Sequence, residues 1–324
     1  MSAIACIKPI KCWEHLKKKT AKGRKLISFK QPTISDIDNW NEIQIPCGQC
    51  IECRLRYSRH WATRLTLEKK YHKYSYFITL TYDEEHLHRV ENIDTKTGEI
   101  VELSTLVKKD MQDFLKRYRY YYGKIKFYQC GEYGEQTHRR HHHMIVFQER
   151  PIEPLEFLKL QKDNQPLYTN LPLQKIWGKG MITIGEVTPE SRGYVARYVL
   201  KKQKGESSNI YNTLGILPEY VTMSNGIGME YFKDNKTKIY QYDSIILTGM
   251  HGEAKKVKPP RAFDEELAKE NLSEITSIKD KRRAAAIRGR SVKEAQTENV
   301  NWAKVESDYK QARQKILNKR EVDD

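Results

Sequence analysis

Nowhere in the 324 residues does an apolar run approach the roughly 20 residues that a membrane-spanning helix needs, so no membrane role is expected. The opening stretch, MSAIACIKPIKCWEHLKKKT, holds no continuous apolar segment and no small-residue cleavage site. No secretion signal is expected, and the chain is assigned to the cytoplasm. Cysteine is scarce, with six in all, and in that compartment disulfides are not expected. No internal repeat is present. Acidic charge is in short supply: 42 Asp and Glu face 58 Lys and Arg, leaving a net +16 and a pI near 9.4. That excess points to a polyanionic partner, most commonly nucleic acid.

What is present is a globular composition, 38% hydrophobic and 10% aromatic, whose 20 Tyr suit base stacking as well as core packing. Residues 1–50 read as irregular and basic. From Glu52 to Lys73, Leu55, Trp61, Ala62 and Leu65 recur at near-helical spacing. YSYFITLTY (74–82) alternates Tyr76, Ile78 and Leu80 against Phe77, Thr79 and Thr81, which reads as a strand buried on at least one face. Ser104 is expected to cap a second helix that closes on Gly123. KIKFYQCGEYG (124–134) and HHHMIVF (141–147) read as the strands of a hairpin. A proline-rich, less regular stretch (150–175) precedes a fourth strand, MITIGEV (181–187). Thr188, Pro189 and Glu190 then make a strong helix start, leading into GYVARYVLKK (193–202). This order predicts an α+β fold, a mostly antiparallel central sheet with flanking helices. Its expected parts are a basic segment (1–50), a main domain (51–205), an accessory region (206–262) and a charged helical tail (263–324). Within the tail, KDKRRAAAIRGR (279–290) is a basic helix of the kind that can lie along DNA phosphates.

Three groups of residues carry chemistry. Alternation along a strand puts His141 and His143 on one face and turns His142 away, and the run MIVF that follows is then in phase with a buried strand. The preceding hairpin strand ends in GEYGE, which brings Glu132 (or Glu135) within reach. Two imidazoles and a carboxylate leave positions open for substrate oxygens, a donor set that suits Mg²⁺ or Mn²⁺ better than closed structural zinc. In GYVARYVLKK, a helical turn of about 100° per residue gathers Tyr194, Arg197, Tyr198 and Lys201 on one side and Val195, Ala196, Val199 and Leu200 on the other. The tyrosines are therefore off the apolar face and beside cations, set for attack on a phosphodiester. Finally, PCGQCIEC puts Cys47, Cys50 and Cys53 at CxxCxxC spacing, open to structural zinc or to free thiols. A fourth ligand would come from Cys6, Cys12 or His60. Cys130, within a strand, reads as a small core residue.

FITLTY (77–82), a His-x-His strand (141–143) and a tyrosine-bearing helix ending in lysine (194–201) stand in the order of the three motifs of the HUH endonuclease superfamily. The segments CGQCIECRLRYSRHWATRL, FITLTYDEEHL, GEYGEQ with HHHMIVF, YVARYVLKK and PPRAFD resemble the replication initiation proteins of microviruses, the gokushovirus branch above all. The resemblance runs from about Cys47 to Asp264. It implies an HUH endonuclease domain over 51–205, with His141, His143 and Glu132 as ligands of Mg²⁺ or Mn²⁺. It further implies Tyr194 and Tyr198 as nucleophiles, Lys201 as the motif lysine, and Arg197 and Lys202 as DNA contacts. The expected activity is nicking of a phage origin through a 5′-phosphotyrosine adduct, with rejoining of the displaced circle. Single-stranded or supercoiled replicative-form DNA, host helicase and polymerase, and the host bacterial cytoplasm follow from it. A non-catalytic single-strand-binding module and a plasmid initiator or relaxase are the rival readings. The sequence departs from the family in one respect: the residue between the ligand histidines is usually bulky and hydrophobic, and here it is His142.

Overall fold

The computed structural model describes residues 6–21, 25–93, 97–134, 139–161, 164–188, 191–193, 208–249, 252–295 and 301–322. Contacts gather the chain into two units, Met1–Arg56 with Asn271–Leu317, and Tyr57–Glu270 with Asn318–Asp324.

In the first unit, β1 (Ile10–Lys19) lies between β2 (Lys25–Ser28) and β3 (Trp40–Ile45) in an antiparallel sheet. The expectation that residues 1–50 are irregular is corrected here. The strands were hidden because β1 and β3 expose most of their side chains, so no apolar alternation marks them. Two long helices, Leu272–Ala295 and Trp302–Val322, form the charged helical tail as anticipated. Helix α1 (Ile51–Glu68) begins in this unit and runs into the second.

The second unit is built on a seven-stranded sheet, antiparallel throughout, in the order β12-β7-β8-β4-β11-β10-β9. These strands are β4 (Tyr74–Thr81), β7 (Lys126–Tyr133), β8 (Arg140–Gln148), β9 (Glu156–Leu160), β10 (Pro166–Thr169), β11 (Ile182–Glu186) and β12 (Tyr220–Met223). A separate hairpin, β5 (Arg89–Ile93) with β6 (Ile100–Ser104), precedes α2 (Lys108–Tyr122). Ser104 therefore ends a strand; Val107 stands at the helix start without a side-chain cap, while Gly123 stops the helix at φ +79° as anticipated. The stretch 150–175, expected to be irregular, holds β9, β10 and α3 (Leu171–Trp177). Every residue of β9 is exposed, so nothing in its pattern announces a strand.

Both faces of the central strands are covered, which is why HHHMIVF reads as a nearly continuous apolar run. On one face Ile78, Leu80, Met144 and Val146 pack against Met111, Phe114, Leu115 and Tyr118 of α2 and Trp177 of α3. On the other, Tyr128, Cys130, Ile145 and Phe147 pack with Leu65 and Trp61 of α1 and with Val187. Burying one such side chain stabilises by about 1.5–3 kcal/mol, so the two layers fix the register of β8 firmly.

Candidate metal centre

The ladder aligns Glu132 of β7 with His141 of β8, and His143 with Thr79 of β4. Directly opposed residues of antiparallel strands share a face, so Glu132, His141, His143 and Thr79 all emerge on the α1 side. One ligand atom from each of Glu132, His141 and His143 lies within 4.8 Å of the other two. Glu132 Oε1 is 2.6 Å from His141 Nε2 and 3.2 Å from His143 Nε2. Neighbouring ligands on an octahedral ion with bonds of about 2.1 Å are about 3 Å apart, so the spacing fits a small divalent cation.

Each imidazole is oriented from its other nitrogen. His143 Nδ1 is 2.9 Å from Thr79 Oγ1, and its ring stacks on Phe77 at 5.4 Å between centroids. His141 Nδ1 faces the Arg139 carbonyl at 3.2 Å. A carbonyl only accepts, so His141 Nδ1 carries a proton and Nε2 is the nitrogen turned to Glu132. Burial alone would raise the Glu132 carboxyl, which is 2% exposed. Hydrogen bonds from His141 and His143 outweigh it and hold the group well below the usual carboxylate range. The site opens at His141, whose side chain is 19% exposed.

His142 enters the opposite layer and is wholly buried. Its Nε2 is 3.0 Å from the Tyr82 hydroxyl, which donates its proton to Asp110 Oδ2 at 3.1 Å. His142 Nε2 is thus the donor to Tyr82, and burial, followed by the nearby cations, pushes its pKa down to about 3. The Arg140 guanidinium covers the Tyr82 ring at 3.9 Å and donates to the Thr105 and His86 carbonyls. Gly131, opposite His142, allows this packing: a Cβ there would lie 2.9 Å from the Tyr220 ring and 3.0 Å from the His142 ring. A histidine thus replaces the usual hydrophobic residue because a polar chain waits for it on that face.

Thr79 is the residue that sequence reasoning passed over. The alternation that set Phe77, Thr79 and Thr81 on one face of FITLTY was the available signal. Tyr194, Arg197, Tyr198, Lys201 and Lys202 lie outside the described residues, as does Glu135. The approach to their segment is described: the Ser191 amide donates to Thr188 Oγ1 at 3.1 Å, and Arg192 Nε donates to Thr66 of α1 at 3.0 Å. Val187 packs with Ile145 and Phe147, so the chain arrives on the same face as Glu132, His141 and His143. Cys47, Cys50 and Cys53 come together with Cys6. Cys12 and His60 are not part of that group; His60 Nε2 instead accepts the Arg261 amide. Cys130 is buried within β7.

With this geometry in view, comparison with known proteins is informative. The family described as replication-associated protein ORF2 matches residues 75–203. The replication-associated protein ORF2 of Spiroplasma virus 4 is 35% identical over 295 residues, covering 88% of each chain. The chain belongs to the microvirus replication-initiator family. Other relatives are the replication-associated protein ORF4 of Chlamydia phage 1, 30% identical over 66% of this chain and 53% of its own, and the replication-associated protein VP4 of Bdellovibrio phage phiMH2K, 31% identical over 61% and 58%. No solved structure matches the chain. In this microvirus initiator the matched span takes in β4, β7, β8 and the tyrosine segment, and it begins after the cysteine group.

Proposed function

We propose that this replication initiator is a metal-dependent DNA endonuclease and strand transferase that acts at a phage origin. The observation that carries the reading is the meeting of Glu132, His141 and His143 at the open end of β8, in a chain of this family. Glu132 Oε1, His141 Nε2 and His143 Nε2 would hold Mg²⁺ or Mn²⁺. Such an ion, when bound, polarises a phosphate and stabilises the charge that develops on it. In its absence the two imidazole–carboxylate contacts need protons on Nε2, because a carboxylate only accepts; cation binding displaces those protons. Thr79 holds the His143 ring, and the Arg139 carbonyl holds that of His141.

Tyr194 and Tyr198 are the nucleophiles in this reading. A phenol is weakly nucleophilic near neutral pH, its pKa being about 10, and Arg197 and Lys201 lower the barrier by favouring the phenolate. The phenolate oxygen bonds to phosphorus, the bond from phosphorus to the 3′-oxygen breaks, and that oxygen leaves as a hydroxyl after taking a proton. The 5′-phosphate stays on tyrosine, so the bond energy is retained and no nucleotide cofactor is needed for joining. After one round the second tyrosine cleaves the regenerated site, and the freed 3′-hydroxyl closes the displaced circle. Single-stranded or supercoiled origin DNA is the substrate, host helicase and polymerase extend the 3′ end, and the host cytoplasm is the compartment.

The test is incubation of the purified chain with an origin oligonucleotide and Mg²⁺ or Mn²⁺, followed by denaturing electrophoresis. A covalent protein–DNA adduct is expected, lost in the Tyr194→Phe, Tyr198→Phe double variant. Binding without an adduct would support a single-strand-binding module in its place.

A further inference from the structure

The open end of the β1–β3 ladder gathers four thiols. Register pairs Ile10 with Ile45, so the residues just before β1 and just after β3 are brought side by side. Cys6 thereby meets Cys47 and Cys50, 41 and 44 residues further along, with Sγ–Sγ distances of 3.5 and 3.7 Å. Cys53 follows in the first turn of α1, and all four sulfurs lie within 4.8 Å of one another.

These distances decide between chemistries. A disulfide holds its sulfurs about 2.05 Å apart, far closer than any pair here. Four sulfurs bound to one zinc at about 2.3 Å sit at the corners of a tetrahedron whose edges are about 3.8 Å. The observed pairs match that edge. A polynuclear iron–sulfur cluster spreads its ligands around several metals, whereas this group encloses room for one. The thiols are soft donors, unlike the carboxylate and imidazoles at β8, and select zinc over Mg²⁺. Backbone donors also point at the sulfurs: the Gln49 and Cys50 amides lie 3.4 and 3.3 Å from Cys47 Sγ, and the Cys47 amide 3.4 Å from Cys6 Sγ. Amides so aimed favour the thiolate form that binds metal.

The unit has a physical need for such a link. Among its described residues, the buried hydrophobic side chains are Cys6, Cys12, Cys53 and Ile275, and three of these four are cysteines. A sheet so poor in apolar core requires another source of cohesion.

We propose that Cys6, Cys47, Cys50 and Cys53 bind one structural zinc ion as a tetrathiolate site, joining the end of the β1–β3 ladder to the first turn of α1. The site is independent of the nuclease reading and lies outside the span that the family matches.

The test is elemental analysis and zinc-edge X-ray absorption on the full-length chain grown with zinc. One zinc per chain with four sulfurs at about 2.3 Å is expected. A chain free of zinc, iron in its place, or a shell containing nitrogen or oxygen would overturn the proposal. The same analysis of the Glu132→Gln chain should return the same zinc and sulfur shell, which separates this ion from one held at β8. Cys6→Ser should lose zinc as fully as Cys50→Ser, while Cys12→Ala keeps it; zinc retained by Cys6→Ser would rule out the fourth ligand. Should the serine variants fail to fold, the absorption spectrum of the unaltered chain decides alone.

Discussion

Glu68 and Glu132 invite comparison, for each is a buried carboxylate hydrogen-bonded to histidine, and only one belongs to a candidate site. Glu68, at the end of α1, is 1% exposed. His72 Nε2 and Lys126 Nζ each lie 2.7 Å from its Oε1, and the Gly228 amide donates to Oε2. Its partners come from a helix end, a strand and a loop, and they include a lysine that no metal ion could replace. Glu132 instead faces two imidazoles two residues apart on one strand, each steered from behind by an oxygen. A buried Glu–His contact is thus not itself a metal site. What distinguishes one is convergence of neutral donors whose other nitrogens are already committed.

The largest effect should come from breaking the second arrangement. Glu132→Gln removes a ligand, and Mn²⁺ affinity by calorimetry should fall by more than about 100-fold, since changes behind the ligands alone cost about 10–100-fold. Adduct formation should vanish with it. Unchanged Mn²⁺ affinity would remove Glu132 from the ligand set.

Glu68→Gln is expected to do the reverse. It leaves Lys126 and His72 without their carboxylate, and denaturant titration should show a loss of about 3 kcal/mol, with Mn²⁺ binding intact. The loss should vary with pH in a defined sense. Burial would raise the Glu68 carboxyl, but His72, Lys126 and Gly228 lower it, so its contribution is present above the unfolded value of about 4.3 and fades as the pH falls. The bond to Glu68 raises His72 against burial, so that contribution is full below about 6.5 and fades as the pH rises through the folded value. The stability gap between the two proteins should therefore be widest between about pH 4.3 and 6.5. A gap that is flat from pH 4 to 8 would show that the Glu68–His72 pair is not formed in solution.

The smallest effect sharpens the comparison from within the site. Thr79→Val removes only the oxygen behind His143, and Mn²⁺ affinity should drop by about 10-fold, the low end for such changes, with little loss of stability. An unchanged affinity would mean that Phe77 alone orients the ring.

The parts of the fold that were legible are those buried on both sides. FITLTY and HHHMIVF announced themselves because apolar side chains fill both layers, and phase with that run separated His141 and His143 from His142. The strands β1, β3 and β9 stayed hidden because they are exposed and charged, and alternation carries information only where one face differs from the other. The fourth thiol was hidden for another reason: Cys6 meets Cys47 through strand pairing across 41 residues, a contact no local spacing encodes. Thr79 was placed on a face in sequence, but its role needed the neighbouring strand.

The three histidine codons can also be weighed genetically. Remove one, and the apolar run from Met144 onward still holds its register, so the two remaining histidines take positions 142 and 143 and arginine moves to 141. The buried hydrogen bond to Tyr82 survives and the protein folds, yet the deletion behaves as His141→Arg and puts a cation where one was to bind. The run is not spare capacity. Three in succession is the smallest number with which one strand can serve a sealed layer and an open one at once.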